Sequence, residues 1–210
     1  MTLHFLALGD SYTIGEGVAV EDRWPIQLVR RLHSEGVDVA PPEIIARTGW
    51  TTEELQDAVR LSRLRRAYDL VSLMIGVNDQ YRGRSPDEYR ASMQHLLETT
   101  RRLAGGDSSR VIVLSIPDWS VTPFAAGDPR GRAGIAAEID RFNAIAHAEA
   151  RDFGAGFVDV TLSSRRAEQP PLLAADGLHP SRAMYGEWAD ILLPVVRGSI
   201  HACDRAKPRP

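Results

Sequence analysis

The sequence predicts an α/β fold: a five-stranded parallel sheet with helices on both faces. Three observations predict it. Short apolar runs alternate with stretches of helical period along the chain. The runs are nearly continuous in apolar residues, as expected of strands covered on both sides. Helix-capping signals fall where the helical stretches begin.

The elements follow in order. Residues 3–8 (LHFLAL) read as the first strand. A helix is predicted from about Asp22 to His33, with Trp24, Leu28 and Leu32 every fourth residue. Pro25 is tolerated in its first turn, and Gly36 supplies the stop. Residues 43–47 (EIIAR) form a short second strand. Thr51 and Glu54 have capping-box spacing and open the next helix through Leu55 and Val59. The third strand is 69–75 (DLVSLMI). Ser85-Pro86-Asp87-Glu88 starts another helix, with Pro at N1 and Glu at N3, which Gly105-Gly106 ends. The fourth strand is 110–116 (RVIVLSI), followed by a Pro/Gly-rich loop. A helix over about 134–152 carries Ile135, Ile139, Phe142 and Ala146 on one stripe. Residues 156–160 (GFVDV) are the fifth strand, and Ser181 is the expected N-cap of a last helix through Trp188, Leu192 and Val195. One domain is expected over 1–200, with a polar, frayed tail at 201–210. No internal repeat or interdomain linker is visible.

Composition narrows the function classes. The chain has 210 residues, 43% hydrophobic and 25% charged, as in ordinary globular proteins. A net charge of −3 argues against a nucleic-acid partner, which needs a basic face. The arginines of 60–66 (RLSRLRR) read as a solvated helix face. A single cysteine, Cys203, excludes an intrachain disulfide and a Cys-rich metal motif. The N-terminal segment reads as a strand rather than a signal peptide. No run approaches the roughly 18 apolar residues of a membrane span. The expectation is a cytoplasmic protein without stable membrane insertion; oligomeric state is not legible.

Parallel sheets of this kind bind ligands outside the C-terminal ends of their strands. Four of the loops on that edge carry chemistry-bearing residues: Gly9-Asp10-Ser11, Thr48-Gly49-Trp50, Gly76-Val77-Asn78-Asp79 and Asp176-Gly177-Leu178-His179-Pro180. Of six histidines, His179 alone falls in such a loop. Asp176, three residues earlier, can accept from its Nδ1–H, fixing the tautomer and leaving Nε2 as a base. Ser11 needs such a base to become a nucleophile. The N–H of Ser11, the N–H of Gly49 and the amide of Asn78 are candidate donors to a developing oxyanion. Asp10 and Asp79 read as braces for their loops. Tyr12, Trp50 and Trp119 are candidate substrate contacts, with Tyr81 and Phe124 near the same edge.

These residues resemble the SGNH/GDSL hydrolases, named for a Ser, Gly, Asn and His in four blocks. GDSYTIGEG supplies Ser11, RTGW supplies Gly49, GVND supplies Asn78, and DGLHP supplies Asp176 and His179. The block around Gly49 is the weakest match, since Trp50 follows where a smaller or polar residue is common. The resemblance covers about residues 3–196. It implies a three-layer, flavodoxin-like α/β/α fold and serine hydrolysis of esters or thioesters, with no metal or cofactor, on a small-molecule substrate. Ser11 would be the nucleophile, His179 the base, Asp176 its orienter, and Ser11, Gly49 and Asn78 the oxyanion hole.

Two other readings compete. Gly9, Gly15 and Gly17 could form a phosphate cradle before a helix, but G-x-x-x-x-G-K-[ST] and G-x-G-x-x-G are absent there, and Asn78 and the Asp176–His179 pair would go unused. A non-catalytic relative binding carbohydrate or protein is the second; the complete set of Ser11, Asn78, Asp176 and His179 speaks against it.

Overall fold

The computed structural model describes residues 2–206 except 63, 65, 66 and 170, with side chains through residue 200. Five parallel strands form one sheet: β1 (Phe5–Gly9), β2 (Glu43–Ala46), β3 (Leu70–Met74), β4 (Val111–Leu114) and β5 (Gly156–Val158), in the order β2-β1-β3-β4-β5. In register, Gly9 pairs with Ala46 on one side and Met74 on the other. The loops after β1, β2 and β3 therefore leave the sheet side by side.

The longer helices are α2 (Trp24–Ser34), α3 (Thr52–Leu61), α5 (Pro86–Leu103), α6 (Gly131–Phe153) and α8 (Arg182–Ala206). α2 packs on α8, while α3 and α6 each pack on α5. Helices thus form a layer on each face of the sheet, as expected of the three-layer fold. Burial explains the composition of the strands: every residue of β1, β3 and β4 is buried. Trp24 and Trp188 are the largest fully buried side chains.

Both predicted capping boxes are present, on Thr51–Glu54 and Ser85–Glu88, and the Ser181 hydroxyl accepts from the Ala183 N–H. Several boundaries differ. β1 starts at Phe5, since Leu3 makes only an isolated bridge to Val39. β5 ends at Val158, because the Asp159 carboxylate accepts from the Thr161 N–H and turns the chain. α8 continues through Pro194 to Ala206, and residues 207–210 lie outside the described ones. Of the arginines at 60–66, Arg60 pairs with Asp57 near the end of α3; Arg63, Arg65 and Arg66 are outside the described residues.

Three short helices have no counterpart in the periodicity: α1 (Ser11–Ile14), α4 (Val77–Tyr81) and α7 (Thr161–Ser164). Four or five residues are too few to display a period of 3.6. All three begin within three residues of a strand end on the edge where ligands bind.

Candidate active site

The sheet order reverses direction between β1 and β3. The chain leaves β1 toward β2 and then crosses back to β3. Connections depart in opposite directions at this switch point and open a crevice. Ser11 follows β1 and Asn78 follows β3, so both stand at its mouth.

Ser11 is the first residue of α1. Asp10 caps that helix, its Oδ1 accepting from the Tyr12 N–H at 3.0 Å. The N–H of a first helical residue has no partner within its helix, and that of Ser11 meets no acceptor among the described residues. The Asp10 carboxyl is buried, with Oδ2 unpartnered. Burial raises its pKa to about 8; the Tyr12 N–H pulls it down, and the charge of Asp79 adds to the rise.

Asn78 lies in α4, which Gly76 introduces at φ 129°. A Cβ there would stand 2.5 Å from the Tyr89 ring, so the turn requires glycine on two counts. Asn78 Nδ2 donates to the Trp50 carbonyl at 2.9 Å. One amide N–H is thus anchored on the loop after β2, and the second remains for a ligand. Asp79 accepts from the N–H and hydroxyl of Thr52 at 3.0 and 2.7 Å, tying the same two loops together.

The third loop is a turn closed by its own carboxylate. Asp176 Oδ1 accepts from the N–H groups of Leu178 and His179, both at 2.9 Å. Oδ2 meets His179 Nδ1 at 2.7 Å. One oxygen shapes the backbone and the other holds the imidazole. Gly177 at φ 68° allows the reversal. Burial pushes the Asp176 carboxyl up, but the bonds from His179 and Leu178 outweigh it and hold it below its ordinary value. His179 is itself buried, its ring 5.0 Å from that of Tyr12. Its Nε2 has no hydrogen-bond partner.

Ser11, Asn78 and His179 line one cleft. Its other walls are Tyr12, Val77, Tyr81, Trp119, Phe124 and Leu178, and it holds about 390 Å³ of empty space, open solvent at its mouth included. The arrangement offers a hydroxyl, a ring nitrogen able to accept its proton, and N–H donors in one apolar enclosure. That is the equipment of acyl transfer.

The sequence carries a matching signature. A family model for GDSL-like lipases and acylhydrolases matches residues 7–186. The chain belongs to this GDSL-like lipase/acylhydrolase family. With it, the protein takes its place among the ester-bond hydrolases. A GDSL lipase of Mycobacterium tuberculosis is 26% identical over 197 residues, covering 90% of this chain and 79% of that one. The fold is shared with TesA (TM-score 0.72, 22% identity, 95% of this chain and 99% of that one). It is also shared with Axe2, an acetylxylan esterase from Geobacillus stearothermophilus (0.71, 21%, 92% and 94%). A lipase/acylhydrolase from Enterococcus faecalis is similar as well (0.71, 20%, 99% of each).

Within this GDSL chain the sequence-derived residues divide. Ser11, Tyr12, Asn78, Trp119 and His179 meet at the cleft, with Asp176 behind His179. Gly49 and Trp50 are not among its lining residues. The Gly49 carbonyl is held by Arg82 at 2.6 Å, and Trp50 contributes its backbone carbonyl to Asn78 rather than its ring to the cleft. In this structure the part of Trp50 tied to the site is its backbone carbonyl. Gln80, Arg130 and Glu138, which brace the aromatic wall, escaped the sequence reading. No motif marks them, because their partners come from three separate segments. Among the described residues no group of three or more His, Cys, Asp and Glu is placed to hold a metal ion, and no helix is long and apolar enough to cross a membrane.

Proposed function

We propose that the protein hydrolyses small or short-acyl carboxylic esters or thioesters through an acyl-enzyme on Ser11. The carrying observation is the Asp176–His179 pair. Its Nδ1 contact fixes the imidazole, and its unpartnered Nε2 shares a cleft with Ser11.

In the first half-reaction Ser11 Oγ attacks the acyl carbon while His179 Nε2 takes the hydroxyl proton. The charge gathering on the carbonyl oxygen meets the Ser11 N–H and the second amide N–H of Asn78. The Gly49 N–H, on the turn that anchors Asn78, is a third proposed donor. Collapse expels the alcohol or thiol with the proton from His179. Water then attacks the acyl-enzyme, gives its proton to His179, and the acid leaves as Ser11 recovers its proton. Asp176 supports the imidazolium in both halves. The small size of the cleft supports a small substrate.

The test is hydrolysis of p-nitrophenyl esters of graded chain length, wild type beside Ser11→Ala, with fluorophosphonate labelling of both. We expect turnover and labelling in the wild type alone. A folded wild type that shows neither would make a non-catalytic binder the better account.

A further inference from the structure

Three rings form a wall of the cleft that Ser11 also lines. Tyr81 and Trp119 meet edge to face at 5.6 Å, Trp119 and Phe124 at 5.8 Å, and Tyr81 and Phe124 tilt together at 6.0 Å. Trp119 is buried, whereas Tyr81 and Phe124 are 48% and 49% exposed. Two half-open rings on a buried third make a corner for a flat apolar group.

The corner is held from behind by one arginine. The Arg130 guanidinium lies 5.4 Å from the Trp119 ring centre and 5.8 Å from that of Tyr81. It forks onto Asp128 at 2.9 and 2.8 Å and reaches Glu138 at 3.1 Å and the Gln80 carbonyl at 3.3 Å. Gln80 is buried; it donates to Glu138 at 2.6 Å and accepts from Trp119 Nε1 at 2.9 Å. Gln80 stands two residues from Asn78 in α4. The wall and the proposed oxyanion donor thus share one short helix.

Apart from the half-exposed Tyr81 hydroxyl, the polar groups of this wall are already committed. The Trp119 N–H, both ends of the Gln80 amide and the Arg130 fork have partners within the protein. A polyhydroxylated group seated against these rings would gain few hydrogen bonds from the protein in return for the water it sheds. An aromatic ring asks for none of these bonds. Resting on the esterase reading above, we propose that the cleft selects esters carrying an aromatic ring, received by Tyr81, Trp119 and Phe124. Arg130 is the positioning residue that holds the corner, by stacking and through Gln80.

The experiment measures binding by NMR titration in Ser11→Ala protein, where turnover does not interfere. Phenyl acetate and methyl benzoate put the ring on the alcohol and acyl sides; cyclohexyl acetate and an acetylated methyl pyranoside are the comparisons. At least one aromatic ester should bind tightest, and Arg130→Lys, which loses the planar fork, should weaken it about tenfold. Tyr81→Leu, at a half-exposed site, should do the same without lowering Tm. With Ser11 intact, Arg130→Lys should lower the ratio of phenyl to ethyl acetate kcat/KM, chiefly through KM. Equal or tighter binding of the cyclohexyl or sugar ester would overturn the proposal. So would aromatic binding indifferent to both substitutions. Fluorophosphonate labelling of the wild type reports on Ser11 alone, so failure of the esterase reading and failure of the aromatic corner give different results.

Discussion

At the scale of single residues, Asn78 and His179 are each held by a second polar group. Asn78 is oriented by the Trp50 carbonyl. Asn78→Ala removes the proposed donor while leaving the proposed nucleophile, and kcat is expected to fall about 10²–10³-fold; an unchanged rate in soluble protein would take Asn78 out of the oxyanion role. Asp176→Asn should leave KM near wild type and slow acylation about 10³-fold or more, read in single-turnover kinetics. Asp10 governs a different property. Its folded pKa of about 8 lies above the ordinary 3.8. The folded state therefore keeps a proton that the unfolded chain releases. Stability from this group is complete below about pH 4, declines as pH rises, and is gone above about pH 8. Thermal melts across this range should show Asp10→Asn less sensitive to pH than wild type; parallel curves would remove Asp10 as the source. That Ser11, Asp176 and His179 come together was legible in sequence because the proposed roles demand particular residue types in loops on one sheet edge, with Asp176 only three residues from His179. Asp10 reads as a brace, but its displaced pKa depends on burial by the whole fold.

At the scale of elements, local chemistry was the readable part. Thr51-x-x-Glu54 and Ser85-x-x-Glu88 announce α3 and α5, and both boxes close as expected. Ser85→Ala should cost about 1 kcal/mol in denaturant unfolding, with esterase rates little affected because Ser85 is not among the residues lining the cleft. A loss under about 0.3 kcal/mol would mean that the end of α5 is held by other contacts. The short helices were illegible for the opposite reason. α1 and α4 exist because strand ends, caps and tertiary hydrogen bonds force one turn of helix. Nothing periodic in four or five residues records that.

For the whole molecule, the parallel order β2-β1-β3-β4-β5 converts separate sequence blocks into one site. The fold class was readable from alternation alone, and the site from which loops carry polar residues. The pairing of α2 with α8 was not, since their contacts join distant stretches of chain. Leu192, fully buried on α8, lies in that layer. Leu192→Ala should lower unfolding free energy by about 2–5 kcal/mol while folded protein still takes up fluorophosphonate. Loss of labelling in parallel with full thermal stability would argue that α8 acts on the site directly.

The all-parallel sheet has one more consequence, for engineering. Every group assigned to the chemistry leaves the same end of the strands, and the turns at the far end carry none of it. The exposed Gly105-Gly106 turn after α5 is one of these. New termini, an affinity tag or an inserted reporter domain placed there would lie at the opposite end of the strands from the cleft. The scaffold can be cut and rejoined on that side while the reacting edge is left as it is.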